Sequence, residues 1–164
     1  MVGVSGVRGI VGTDLTPEMI ARYAAAFGIW ALSGRHKARA VVVGRDARTS
    51  GPMFAMAATA GLLSVGCDVI DIGLTSTPGA QLAVEHHHAA GGIVLTASHN
   101  PIEWNALKFI GADGVFIDAA AGEVMRAHLE NATMPRADFA GLGRVRPHAP
   151  RCGHAENSGR HGRR

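Results

Sequence analysis

Ser98 follows an apolar run onto a turn, and Arg8, Arg45 and Arg48 lie in glycine-flanked segments. These residue types would suit phosphoryl transfer, which has three requirements: an oxygen that can hold the group covalently, cations that neutralise the spreading charge, and a group that accepts a hydroxyl proton. Ser98, in Thr96-Ala97-Ser98-His99-Asn100-Pro101, suits the first requirement. It follows an apolar run, has a small neighbour in Ala97, and lies on a turn constrained by Pro101. Arg8, Arg45 and Arg48 are candidates for the second, because a planar guanidinium fork matches phosphate oxygens. Each also has a plainer reading. Ser98 could be a turn serine that satisfies backbone donors, and Arg45-Asp46-Ala47-Arg48 could be an ion-pair cluster that braces the site without touching the phosphate.

Other chemistries fit less well. Ser98 and His99 are adjacent, and adjacent side chains tend to point apart, so they do not form a hydrolase nucleophile–base pair. His86, His87 and His88 are consecutive; at a helix end they point in three directions and cannot converge on one metal ion. The glycines at 3, 6, 9 and 12 lack the strand-then-helix context of a dinucleotide loop.

Helical and strand patterns alternate along the chain, which predicts an α/β three-layer sandwich with a mixed, mostly parallel sheet. Thr16-Pro17-Glu18 reads as a helix start, with Thr16 as N-cap and Pro17 at the first helical position, and the helix runs to Leu32. A short strand at 40–43 enters the loop 44–51, and a second helix spans 52–65. A strand at 68–72 precedes a third helix opened by Pro78. The run 92–97 is almost wholly apolar, as befits a strand covered on both faces. Its C-terminal end delivers Ser98 to the rim where open α/β sheets place ligands. Segments 106–110 and 115–117 read as two strands joined through Asp113-Gly114, and Asp118 as the cap of a last helix to Asn131.

A chain of 164 residues accommodates one ordinary domain, and 47% hydrophobic with 18% charged residues is a globular composition. The net charge of +3 invites a nucleic-acid reading until its location is considered. Arg144, Arg146, Arg151, Arg160, Arg163 and Arg164 stand against the single acid Glu156, so the body is not basic and no nucleic-acid partner is expected. Residues 144–164 read as a disordered Arg/Gly/His-rich tail, the end of a truncated or frame-shifted coding sequence, leaving 1–143 as the folded domain. Cys67, in an apolar run, reads as a buried reduced thiol, which with the absence of a signal-peptide pattern points to the cytoplasm. No apolar stretch is long enough to span a bilayer.

The stretch from Thr96 to Lys108 resembles the phosphoserine loop of the alpha-D-phosphohexomutases (phosphoglucomutase, phosphomannomutase and phosphoglucosamine mutase), and 5–131 as a whole is similar to the first of their four domains. The resemblance implies that Ser98 carries the phosphoryl group and that Arg8, in Ser5-Gly6-Val7-Arg8-Gly9, lies beside it. Lys108 matches the family's proposed general base; it accepts a proton at neutral pH only if neighbouring cations or desolvation favour the neutral amine, and otherwise acts as a cationic clamp. His99 is implied in proton transfer or substrate binding, and Asn100 in substrate binding or support. A hexose phosphate is the implied substrate, a hexose bisphosphate the activator, and Mg²⁺ the cofactor. The phosphate on Ser98 supplies one metal ligand, and an aspartate loop of a second domain, which this sequence lacks, supplies the rest. The expectation is a phosphoryl carrier that lacks most of its substrate site and is inactive alone. The competing expectation is a non-catalytic fragment whose uncovered faces bind another polypeptide.

Overall fold

The structure is a computed structural model that describes residues 2–3, 6–34, 37–131 and 134–146. Local signals set the helix boundaries. Thr16 accepts a hydrogen bond from the Met19 amide and starts α1 (Pro17–Leu32). Ser76 does the same for α3 (Thr77–His86) through the Gly79 amide, and Asp118 for α4 (Ala119–Glu130) through that of Ala121. The fourth helix, α2 (Gly51–Ser64), carries Pro52 in its first turn, where the missing N–H has no helical partner to lose.

The strands are β1 (Val2–Gly3), β2 (Gly6–Ile10), β3 (Ala40–Arg45), β4 (Asp68–Leu74), β5 (Gly91–Leu95), β6 (Trp104–Gly111) and β7 (Val145–Arg146). They form one sheet in the order β1-β2-β6-β5-β3-β4-β7. The pairs β5–β3, β3–β4 and β4–β7 are parallel, and the pairs β1–β2, β2–β6 and β6–β5 are antiparallel. Only β1 and β6 therefore run against the direction of the other strands, which gives the mixed, mostly parallel sheet expected.

Side chains alternate across the sheet with a period of two, and the core divides accordingly. Val41, Val43, Val69, Ile93, Leu95, Leu107 and Phe109 pack under α1, α2 and α4, where Phe27 of α1 stacks on Phe109 with centroids 5.1 Å apart. Ala40, Val42, Ile70, Val94 and Ile110 face α3 through Ala80 and Val84. These are the three layers. Close contact of α1 with α2 depends on Gly61, because a Cβ there would strike the Ala21 carbonyl.

Three expectations require correction. The tail does not begin at Arg144: Val145–Arg146 pairs with β4, Arg144 N donates to Asp68 Oδ1 at 2.8 Å, and Arg146 Nε donates to Asp68 Oδ2 at 3.0 Å. A charged partner on β4 thus compensates for the missing apolar period. Arg151, Cys152, Glu156, Arg160, Arg163 and Arg164 lie outside the described residues. Residues 115–117 do not form a strand, and only the bridge Ile110–Phe116 is made. The edge of β6 is taken by β2 as far as Lys108, which leaves too short a run for a second ladder. Finally, the strand-then-helix context that the glycines at 3, 6, 9 and 12 were expected to lack is present, because Gly6–Ile10 pairs along β6 as β2 and α1 follows it. No helix among the described residues is long and apolar enough to cross a membrane. Cys67 is a buried free thiol, as its apolar setting implied.

Candidate active site

Buried throughout, β5 ends where the Thr96 amide donates to the Ala106 carbonyl at 3.0 Å. Thr96 and Ala97 are still buried, and Ser98 and His99 emerge into solvent. Ser98 has φ +56°, in the left-handed region that L-residues other than Asn and Asp seldom occupy. Its amide donates to Thr96 Oγ1 at 3.0 Å, and the Asn100 amide closes the turn on the Ala97 carbonyl at 3.1 Å. The serine hydroxyl is thus presented at the exposed C-terminal rim of the sheet, as expected.

The loop after β3 lies at the same rim, because β3 is the parallel neighbour of β5. The Asp46 amide donates to the Leu95 carbonyl at 3.0 Å, which ties the two strand ends together. Asp46 accepts from the Arg48 amide at 3.0 Å and from Arg48 Nε at 3.2 Å. Arg48 is buried, and its two terminal nitrogens donate to the carbonyls of Ser98, Asn100, Pro101 and Trp104 at 2.6–3.0 Å. Five N–H groups meet five acceptors, so the guanidinium has no donor left for an anion. Arg45 is half-buried and donates to the Asp46 carbonyl at 3.4 Å, with its stem against the start of α2.

Arg8 reaches the loop from β2. It is exposed, stands opposite Ala106 in the register, and donates from Nη1 to Asn100 Oδ1 at 3.3 Å. Lys108 is one period further along β6, opposite Gly6 and Val94, on the same face as Arg8 and Ala106. Diagonal neighbours of this kind stand roughly 7–8 Å apart. Its ammonium lies 5.9 Å from the centroid of the Phe116 ring. Ser98, Asn100, Arg8, Asp46 and Arg48 therefore converge on one loop, while Lys108, on the same sheet face as Arg8, has its ammonium against the Phe116 ring.

Two residues of the site carried no role in the sequence reading. Thr96 supplies the hydroxyl that holds the Ser98 amide, a pattern foreshadowed by its position two residues upstream. Asn105 is fully buried; its Nδ2 donates to Ser50 Oγ at 2.8 Å and its Oδ1 accepts from the Ala106 amide at 2.7 Å, which clasps the loop before α2 to β6. An asparagine between Trp104 and Ala106 was the available signal. A cavity of about 650 Å³ lies elsewhere, lined by Tyr23, Phe109, Met125 and Leu129 among others between α1, α4 and the sheet. No group of three metal-ligating His, Cys, Asp or Glu side chains occurs among the described residues, the three histidines at 86–88 included.

Comparison with known proteins defines the class. The family model described as phosphoglucomutase/phosphomannomutase, alpha/beta/alpha domain I, matches residues 1–136. The chain belongs to the phosphoglucomutase/phosphomannomutase family and corresponds to its α/β/α domain I. A phosphoglucomutase/phosphomannomutase of Thermococcus kodakarensis is 39% identical over 146 residues, covering 89% of this chain and 32% of that protein. A phosphoglucosamine mutase of Limosilactobacillus reuteri is 40% identical, covering 87% of this chain and 32% of its own length. The crystal structure of a phosphoglucomutase/phosphomannomutase family protein from Burkholderia thailandensis superimposes with a TM-score of 0.71 at 27% identity, over 90% of this chain and 33% of that one. The chain thus spans about a third of the length of the curated relatives it matches.

Proposed function

We propose that this chain is the phosphoserine-bearing domain of a hexose-phosphate mutase, with Ser98 as the phosphoryl carrier. The observation that carries this reading is an exposed serine hydroxyl on a left-handed turn whose own amide and carbonyl are both tied down. In the reaction, phospho-Ser98 donates to a free hydroxyl of a hexose monophosphate. The P–O bond to Ser98 Oγ breaks as the bond to the sugar oxygen forms, and the sugar hydroxyl's proton passes to a base. The bisphosphate then returns its other phosphoryl group to Ser98 Oγ, so hexose 1- and 6-phosphates interconvert.

Arg8 neutralises charge on the transferring group, and Lys108 and His99 are the candidates for proton transfer or clamping. Asn100, held by Arg8, faces substrate or supports the loop. Asp46, Arg48 and Arg45 brace it. The described residues do not assemble a metal site, so Mg²⁺ would need carboxylates beyond them, with the phosphate on Ser98 as one ligand. Catalysis of this kind is chiefly positioning and charge stabilisation, and this chain alone is expected to accept phosphate without turning over substrate.

Intact-mass analysis with peptide mapping after incubation with hexose 1,6-bisphosphate and Mg²⁺ tests the proposal. One added phosphoryl group on Ser98, absent from Ser98→Ala, is the expected result. A chain that stays unlabelled would favour the non-catalytic partner-binding alternative. Mutase turnover by this chain alone, lost in Ser98→Ala, would overturn the expected inactivity.

A further inference from the structure

The five donor groups of Arg48 end on Asp46 and on carbonyls at both ends of the segment from Ser98 to Trp104. We infer that Arg48 is the positioning residue of the phosphoryl carrier: it fixes the left-handed turn that presents the Ser98 hydroxyl, and it takes no part in binding phosphate. This inference rests on the phosphoserine reading for its consequence, but not for its geometry.

Three observations carry it. Four carbonyls from a seven-residue segment converge on one guanidinium, which no repeating backbone pattern would bring about. Ser98 holds φ +56°, a conformation that persists only where its surroundings over-determine it. Its carbonyl is held by Arg48 and its amide by Thr96, so the side-chain oxygen is the polar group of Ser98 left for chemistry. Arg48 is itself anchored, since Asp46 binds its amide and Nε while the Asp46 amide binds Leu95 at the end of the strand that feeds the loop. The result is a closed ring from strand end to Asp46, to Arg48, to the loop and back. Lysine cannot replace this arrangement, because three donors on one compact nitrogen do not reach acceptors set in a planar fork.

The test uses isotope-labelled full chain and compares wild type, Arg48→Lys and the remote core variant Leu62→Ala. In Arg48→Lys the Ser98 Cα and Cβ shifts should lose their left-handed signature. The Ser98, Asn100 and Trp104 amides should exchange at least about 10-fold faster, while those of β3 and β5 hold. Leu62→Ala should lower the melting temperature without that selectivity. Labelling of Ser98 by hexose 1,6-bisphosphate at saturation should fall on the order of 10²-fold in Arg48→Lys, with the half-saturating concentration unchanged.

Unchanged Ser98 shifts and loop exchange in Arg48→Lys would overturn the inference. So would a labelling defect confined to the half-saturating concentration, which would mean direct phosphate binding. Should Arg48→Lys fail to fold, Asp46→Asn serves the same comparison: selective loosening of the loop supports the inference and an unaltered loop refutes it. A wild-type chain that is never labelled removes the phosphoserine reading, and the exchange data then decide the positioning role alone.

Discussion

Arg8 Nη1 lies 3.3 Å from Asn100 Oδ1 although 92 residues of sequence separate them. This contact places an exposed cation beside the serine loop without burying its charge, so its effects on rate and on stability should separate. Arg8→Ala is expected to slow Ser98 labelling on the order of 10²-fold, the usual loss when one charge-stabilising donor is removed. Its unfolding free energy should stay within about 0.5 kcal/mol of wild type, as is normal for exposed positions. Labelling kinetics with urea titration of the same preparation checks both.

Gly61 should reverse the usual helix rule. In a helix interior, Gly→Ala ordinarily stabilises by roughly 0.5–1 kcal/mol. Here the added methyl meets the Ala21 carbonyl, so Gly61→Ala should destabilise by about 1–3 kcal/mol through forced separation of α1 and α2. Urea unfolding gives the sign directly.

Burial pushes the Cys67 thiol up to about 12, with the nearby Arg39 cation opposing the shift and Asp68 adding to it. An unfolded cysteine titrates near about 8.5, so above that pH the unfolded chain loses a proton that the folded chain keeps. The contribution is fully present below the unfolded value and is lost as pH rises toward the folded one. Stability should therefore decline more steeply between roughly pH 9 and 11 in wild type than in Cys67→Ala. Chemical denaturation across that range measures the difference.

Asp68 anchors the last strand through Arg144 and Arg146. Asp68→Ala should cost about 1.5–3 kcal/mol, the range for hydrogen bonds to a charged group. Trypsin should then cut after Arg144 earlier in a time course, whereas Arg146 is protected by the following Pro147, and cleavage after Arg144 at an unchanged rate would show that the segment is held by something else.

Much of the fold is legible because it is written in local chemistry. Thr16, Ser76 and Asp118 start helices through their own side chains, and the apolar run ahead of Ser98 announces a strand covered on both faces. What escaped the reading is non-local. Gly6–Ile10 has little strand propensity and becomes β2 because the edge of β6 requires cover. Val145–Arg146 lacks an apolar pattern and joins the sheet through an aspartate 78 residues upstream of Arg146.

The site divides in the same way. Its residue types were readable through the resemblance of 96–108 to a phosphoserine loop, because a strand-end serine beside an Arg–Asp–Arg cluster would by itself read as a turn serine and an ion-pair brace. The role of Arg48 was not resolved, because four of its five acceptors are backbone carbonyls, and every residue type has one. Asn105 escaped for a related reason: its partner Ser50 is 55 residues away.

The sheet order sets when such a site can exist. Of β2, β5 and β6, the last to leave the ribosome is the one in the middle. A nascent chain that has emerged only as far as residue 103 already contains Ser98, Arg8, Asp46 and Arg48, yet its serine loop has neither the Trp104 carbonyl nor a strand bridging it to Arg8. Insertion of that central strand is therefore the step that completes the site: the ties of Arg48 to Asp46, Ser98, Asn100 and Pro101 need no residue beyond 103, whereas the Trp104 tie and the strand that carries Arg8 to the loop both wait for β6.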